Sequence, residues 1–348
     1  MIKNKQAKQV VRLILLIGTS ISLYFVPWPI LKAWIKPLPE TVQEQVNQAI
    51  NMGFDGIIVY VDEEGLPPQS YAAGYKNRAN KTPADPQAIF KIASVSKLYV
   101  ALAIAKLERS GRISIDKPLT FYLDELENQI DNANEITLRM MVRHRSGIPN
   151  FTDTPNYWVN PPESEQQRLE LVFNLPANFE PDQDYEYCNT NYLLLGRVMD
   201  KVLGYSHKQF IQESILKPLH LNQTYISLKD VNMDDVMSGY YVGFDEDLKS
   251  VDNGSILATA EDVAAFIRAL NNGSAFTDNK EQEIYTAIYE LGHTGLIPGY
   301  QTIAKYHKDI DAVVVQFTNT VNFDGYNWSL SEIEYNRIVK ILKKKRDL

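Results

Sequence analysis

Three short stretches of the chain carry residue types that together can perform acyl transfer. The first is Phe90-Lys91-Ile92-Ala93-Ser94-Val95-Ser96-Lys97, which runs into the apolar segment Leu98 to Leu107. Ser94 stands where a helix should begin, and Lys97 follows three residues later. Positions i and i+3 share a helix face, so a hydroxyl and an amine are stacked together. A helix start also presents unpaired N–H groups and a partial positive charge. A serine nucleophile needs a neighbour to take its proton and donors to hold the oxyanion. The same spacing occurs at Ser114/Lys117 and Ser214/Lys217. Ser114 follows Gly111 in a loop-like stretch, and Lys217 sits in a helical last turn stopped by Pro218. Only Ser94 opens a helix apolar enough to be buried, although serine is also an ordinary N-cap.

The second stretch, Tyr187-Cys188-Asn189, offers a phenol and an amide on a turn between Pro181-Asp182-Gln183-Asp184 and a helix. A phenol serves as a base when nearby positive charge lowers its pKa, and Lys97 can supply that charge. The chain holds 20 tyrosines, and Tyr75-Lys76-Asn77 has the same pattern, so a structural role for Tyr187 stands beside the catalytic one. Cys188, the single cysteine, reads as a small packing residue. The third stretch, His293-Thr294-Gly295, places a basic group, a hydroxyl and a glycine on an expected edge strand, where glycine permits a close backbone approach. Arg109-Ser110-Gly111 and Arg145-Ser146-Gly147 look similar but read as helix ends. His144, His207, His220 and His307 lack metal-ligand spacing and read as surface or packing residues. Neither a metal site nor a phosphate-binding glycine loop is indicated, and no cofactor is expected.

These pieces need elements to hold them. The chain has 348 residues, 45% of them hydrophobic and 22% charged, which is ordinary globular composition. A net charge of −8 gives no nucleic-acid surface. Lys3, Lys5, Lys8 and Arg12 precede an uncharged run from Leu13 to Leu31, long enough to span a bilayer. The positive-inside bias puts the rest of the chain outside the cytoplasm. Residues 1–12 are thus expected to be a cytoplasmic basic terminus, 13–35 a membrane anchor or signal peptide, and 36–40 a linker. Ser20-Ile21-Ser22 is a weak cleavage site; an uncleaved anchor is favoured over secretion after cleavage. Residues 41–345 are expected to form the soluble domain.

Within that domain, strands are expected over Gly56 to Val61, Ser70 to Tyr75, Gly299 to Tyr306 and Ala312 to Phe317. Helices are expected over Thr41 to Met52, from Ser94, over Glu163 to Phe173, Asn191 to Leu203 and His207 to Leu216, and from Ser331 to Lys345. Thr259-Ala260-Glu261-Asp262 is a further helix start. Strands early and late with helices between them imply an α+β fold, an α/β/α sandwich. Its antiparallel sheet is flanked by terminal helices, with a helical subdomain inserted at about 115–270. A site at their junction is the natural place for a pocket.

In this order and with these flanks, the chain resembles the serine β-lactamase and penicillin-binding-protein superfamily, in the branch of class C β-lactamases, DD-peptidases and esterases. The resemblance covers roughly Gly56 to Leu342. Ser94-Val95-Ser96-Lys97, Tyr187-Cys188-Asn189 and His293-Thr294-Gly295 match the family's S-x-x-K, Y-x-N and [KH]-[ST]-G motifs. Leu138 to Pro149 is similar to its L-L-x-H-x-S-G-L-P segment, Tyr187 to Gly196 to Y-S-N-x-x-Y-x-L-L-G, and Gly292 to Gly299 to G-H-T-G-x-x-P-G. The resemblance implies the β-lactamase/transpeptidase fold and an acyl-enzyme on Ser94. It makes Lys97 the activating partner and Tyr187 the base that passes the proton to the leaving group. Asn189 would position the substrate amide, with His293, Thr294 and Gly295 on the opposite wall and the backbone N–H groups of Ser94 and Leu296 as the oxyanion hole.

The implied function is a membrane-anchored extracytoplasmic hydrolase of the D-alanyl-D-alanine carboxypeptidase type, or a related peptidase or amidase, acting on small peptides such as peptidoglycan stem peptides. The alternatives are an esterase on the same scaffold, a non-catalytic binding homologue and a β-lactamase. Two departures stand out. His293 replaces the lysine of typical β-lactamases, and Asn279 to Leu291 lacks the longer strand pair of many relatives.

Overall fold

The computed structural model describes residues 5–158 and 161–346; Lys3 of the basic N-terminal run lies outside the described residues. Six strands form one sheet: β1 (Gly56–Glu63), β2 (Gln69–Asn77), β3 (Thr82–Pro83), β4 (His293–Ile297), β5 (Tyr300–His307) and β6 (Ala312–Thr318), in the order β3-β2-β1-β6-β5-β4. All neighbours are antiparallel. The centre of the sheet joins the two ends of the chain, with Val59 opposite Gln316 and Val61 opposite Val314.

The uninterrupted apolar runs of β1 and β6 have a simple cause: both faces of the central strands are covered. Successive side chains alternate between faces. Ile57, Val59, Val61, Ala312 and Val314 meet the terminal helices, α3 (Val42–Ala49) and α8 (Asn327–Arg346). Ile58, Tyr60, Val313, Val315 and Phe317 join the larger core on the other face. That core is built on α4 (Ser96–Arg109) and α6 (Ala260–Asn272), where Tyr99 and Phe266 stack with ring centroids 3.8 Å apart. α6 begins at the expected cap, Thr259, whose hydroxyl accepts the Asp262 N–H. Residues from about 115 to α6 form the helical region beside the sheet, including α5 (Asn189–Leu203). The expected insertion limit of 270 falls within α6, which packs on the sheet and so belongs to its layer.

The short segment before β4 is a helix, α7 (Asn279–Ile288), which feeds the strand directly. Its Glu281 carboxylate pairs with Lys106 of α4 at 2.7 Å, and the Tyr285 hydroxyl donates to Glu290 O at 2.6 Å. The edge of the sheet is therefore braced by a helix where longer relatives are expected to carry strands.

The N-terminal segment divides in two. α1 (Lys5–Tyr24) contains Ala7–Tyr24, the one helix among the described residues long and apolar enough to cross a membrane. After a break at Pro27, α2 (Trp28–Ile35) packs on the domain through Ala33 and Ile30. Residues expected to end an anchor and form a linker are instead docked, because Arg337 of α8 holds them. Its guanidinium donates to Lys36 O at 2.7 Å, Pro37 O at 2.8 Å and Gln45 Oε1 at 2.9 Å. Gln45 in turn donates to Glu334 at 2.6 Å, and burial pushes that carboxyl up to about 8. Removing one member of such a buried network strands the others. Arg337→Met should therefore lower the stability of the full chain in detergent micelles by about 3 kcal/mol. Denaturant unfolding measures it, and a change below about 1 kcal/mol would show that the clasp does not hold the terminal helices.

Candidate active site

Ser94 lies on a tight connection between a strand and a helix. Phe90–Lys91 pairs with Leu257–Ala258, and the chain then turns through the 3₁₀ segment Ala93–Val95 into α4. Ala93 adopts a left-handed φ of 51°, which an alanine takes only where the surroundings enforce it. Here they do. The Ala93 N–H donates to Ser255 Oγ at 2.8 Å, Ile92 N–H to Ile256 O at 3.0 Å, and Ile256 N–H to Ser96 Oγ at 3.0 Å. The Lys91 ammonium is buried and donates to Leu248 O (2.8 Å) and Val251 O (2.6 Å), tying down the segment that leads to Ser255. Burial brings Lys91 down to about 7 against the opposing pull of Asp252 and Asp247.

Lys97, the second residue of α4, is 8% exposed. Its Nζ donates to Asn189 Oδ1 at 2.8 Å and lies 3.4 Å from Ser94 Oγ. It also sits 4.9 Å from the ring centre of Tyr187 and 5.2 Å from that of Tyr192. The two aromatic faces and the amide oxygen offset part of the cost of burying the cation. Among the described residues no carboxylate pairs with Lys97. The expected nucleophile, amine, phenol and amide thus share one locus.

The turn holding Tyr187 and Asn189 is fixed from the helical region. Asn189 N–H donates to Asn150 Oδ1 at 3.0 Å and its Nδ2 to Thr152 Oγ1 at 3.1 Å, which aims its Oδ1 at Lys97. His144 has a φ of 57° and accepts the Cys188 N–H on Nδ1 at 3.0 Å. Its ring stacks on Tyr187 with centroids 4.4 Å apart. The Tyr187 hydroxyl is buried and has no hydrogen-bond partner among the described residues. Cys188 is buried against Ile148 O, and burial pushes its thiol up to about 11, consistent with packing.

Strand β4 is the edge strand and forms the facing wall. A Cβ on Gly295 would lie 2.5 Å from Ile92 O and 3.0 Å from Ser94 N. The close approach that requires glycine is therefore made by the chain's own nucleophile turn. It also brings Leu296, the next residue, beside Ser94. His293 does not point a free nitrogen at Ser94. Its Nδ1 bonds the Thr294 carbonyl, so Nε2 is the acceptor of the Tyr289 hydroxyl at 3.0 Å, with the two rings stacked 5.7 Å apart. His293 is 6.5 Å from Tyr187 by ring centres. Thr294 lies next to it on β4.

A cavity of about 180 Å³ opens on the Asn189 side of Ser94. Its walls include Lys97, Asn189, Tyr192, Ser255 and Arg168; His293, Thr294 and Tyr187 do not line it. The competing motifs stay apart from this site. Ser214 falls in the π-helical turn Gln212–Leu216, and Asn77 of the Tyr75 pattern bonds Ser238 at 2.9 Å. His144, Asn150, Thr152, Tyr192, Ser255 and Tyr289 support the site and were not singled out for it from sequence. The resemblance of Leu138 to Pro149 and Tyr187 to Gly196 flagged the stretches holding His144 and Tyr192. Tyr289, four residues before His293, gave no signal.

A sequence profile of the family described as Beta-lactamase matches residues 51–289. Protein flp of Staphylococcus aureus (strain N315) is 26% identical over 196 residues, covering 55% of this chain and 39% of that protein. Penicillin-binding protein 4* of Bacillus subtilis (strain 168) is 28% identical over 201 residues, covering 55% and 40%. The match thus spans about two fifths of these curated relatives. Among solved structures, D-amino acid amidase from Ochrobactrum anthropi SV3 superposes with a TM-score of 0.76 at 20% identity, over 88% of this chain and 98% of that one. A penicillin binding protein from Bacillus halodurans gives 0.73 at 20%, over 87% and 100%. These likenesses show that the fold is the expected one.

Burial, with the Lys97 charge adding to it, lowers His144 to about 3 and His293 to about 4. Unfolded histidine titrates near 6.5. The stability linked to these two rings is therefore complete above about pH 6.5 and is lost as pH falls toward their folded values. In an NMR titration of the full chain, neither ring should show a midpoint above pH 5. A midpoint near 6.5 for either would contradict the buried, neutral arrangement.

Proposed function

Since the chain belongs to the beta-lactamase family, we propose that it is a membrane-anchored, extracytoplasmic serine hydrolase that cleaves small D-amino-acid peptides or amides through an acyl-enzyme on Ser94. The observation that carries this reading is the placement of Lys97 Nζ between Ser94 Oγ and Asn189 Oδ1, over the face of Tyr187. In the proposed reaction Ser94 Oγ attacks the scissile carbonyl. The oxygen's proton passes through the Lys97–Tyr187 pair to the leaving amine, and the C–N bond breaks to leave an ester on Ser94. Water then attacks that ester, with the proton path reversed. The N–H groups of Ser94 and Leu296 hold the developing oxyanion, each such donor contributing about 3 kcal/mol to lowering the barrier.

The choice of a D-amino-acid substrate draws on three supports. The basic residues ahead of the apolar run from Leu13 favour export of the domain, peptidoglycan stem peptides lie outside the cytoplasm, and similar folds include a D-amino acid amidase and a penicillin binding protein. The docked α2 is compatible with an anchor and with cleavage near Ser22, since both leave the Arg337 clasp in place. An esterase is the second reading. It is favoured by a second cleft of about 440 Å³ lined by Trp158, Tyr241, Phe244, Pro298 and Phe323, which suits an apolar acyl group.

An N-acylated D-alanyl-D-alanine peptide, its L-configured counterpart and a p-nitrophenyl acyl ester distinguish the readings when offered to the full chain in detergent micelles. Release of D-alanine from the D-peptide alone is expected. Ser94→Ala should lower kcat by at least about 10³-fold. Cleavage of the ester but of no D-peptide would replace the peptidase by the esterase, and an active Ser94→Ala protein would overturn both.

A further inference from the structure

Arg168 is a charged side chain that the catalytic reading leaves without a task. It belongs to the short helix Glu165–Glu170 and is 8% exposed, yet it forms part of the wall of the cavity beside Ser94. Its Nε donates to Pro162 O at 3.4 Å and one terminal nitrogen to Asp252 O at 3.1 Å. The other terminal nitrogen bonds nothing among the described residues and faces Gly254, where a Cβ would stand 3.6 Å from it. The nearby acids are committed elsewhere: Glu165 pairs with Lys208 at 3.7 Å, and Asp252 Oδ1 accepts the Gly254 N–H at 2.9 Å. A buried guanidinium with no anion is costly, and its planar fork is shaped for a carboxylate.

Its position says which part of a substrate it can meet. Gly254 precedes Ser255, whose hydroxyl holds the nucleophile turn at Ala93. The cavity lies on the Asn189 side of Ser94 and meets β4 only at the strand's last residue, Ile297. We propose that Arg168 is a specificity residue: it forms an anion subsite that receives a carboxylate carried on the acyl portion of the substrate, one or two groups from the scissile carbonyl. The proposal rests on the acyl-transfer reading above and adds to it the class of acyl group, an acidic one.

The experiment uses two D-alanine p-nitroanilides, N-succinyl and N-succinamoyl, which differ only in a free carboxylate against a carboxamide. With the full chain in detergent micelles, kcat/KM should favour the carboxylate by about 10- to 100-fold, the range of a charge-assisted hydrogen bond. Arg168→Met should bring that ratio to about one, and Arg168→Lys should leave it intermediate. A ratio unchanged in Arg168→Met, even with both rates lowered, would show that Arg168 only clips the two loops together and would overturn the proposal. So would a wild-type enzyme that does not distinguish the pair. If neither anilide is cleaved, the hydrolase reading fails for these substrates, and the subsite is read separately by calorimetry. The corresponding D-alaninamides are then titrated into the Ser94→Ala protein. Tighter binding of the succinyl ligand that Arg168→Met abolishes supports the subsite, and equal binding of the two overturns it.

Discussion

The buried ammonium of Lys97 is the constraint on which the site depends. A cation at this depth must be met by acceptors and aromatic faces, and the chain draws them from two distant regions. The nucleophile turn contributes Ser94, and the start of α4 contributes Lys97 itself. The helical region contributes Asn189, Tyr187 and Tyr192. Satisfying one charge therefore fixes the junction of the two regions, and the cleft lies at that junction. The same logic explains why Asn189 is held twice more, by Asn150 and Thr152. An amide free to flip would turn a donor toward the cation.

Around that centre the fold stores its tension in short turns. Ala93 and His144 both take left-handed backbones, one beneath the nucleophile and the other beneath Tyr187. Each is locked by a hydrogen bond from outside its own turn: Ser255 Oγ for Ala93, and the Cys188 N–H to the His144 ring. Gly295 completes the arrangement, because only a residue without Cβ lets β4 lie against the Ser94 amide. Edge strand, nucleophile turn and tyrosine turn are thus three rigid pieces pressed together. Such preorganisation is what electrostatic stabilisation of an oxyanion requires.

Much of this was legible in the sequence because it is local or patterned. The apolar runs at Gly56 to Val61 and Ala312 to Phe317 gave the central strands, and Thr259 gave the start of α6. The first two motifs hold Ser94, Tyr187 and Asn189, which meet at Lys97, and the third holds Gly295, which lies against the Ser94 turn. What escaped has long-range causes. The docking of α2 depends on Arg337, about 300 positions away, meeting the backbone carbonyls of Ala33, Lys36 and Pro37, which carry no sequence signature. The support from Thr152 and Tyr289 is a matter of side-chain orientation. His293 reads as a basic residue facing a cleft, but burial and the Tyr289 hydroxyl make it a neutral acceptor. Arg168 lies in a stretch that reads as an ordinary amphipathic helix, and only its burial beside the cavity sets it apart.

The most direct test of the account is the intact mass of the full chain after incubation with a penicillin and, separately, with an activated D-alanyl ester, followed by peptide mapping. The account predicts a covalent acyl adduct with at least one of them, located on Ser94 and absent from Ser94→Ala. Turnover of either compound with no adduct trapped on rapid acid quenching, or an adduct mapped to another residue, would contradict it.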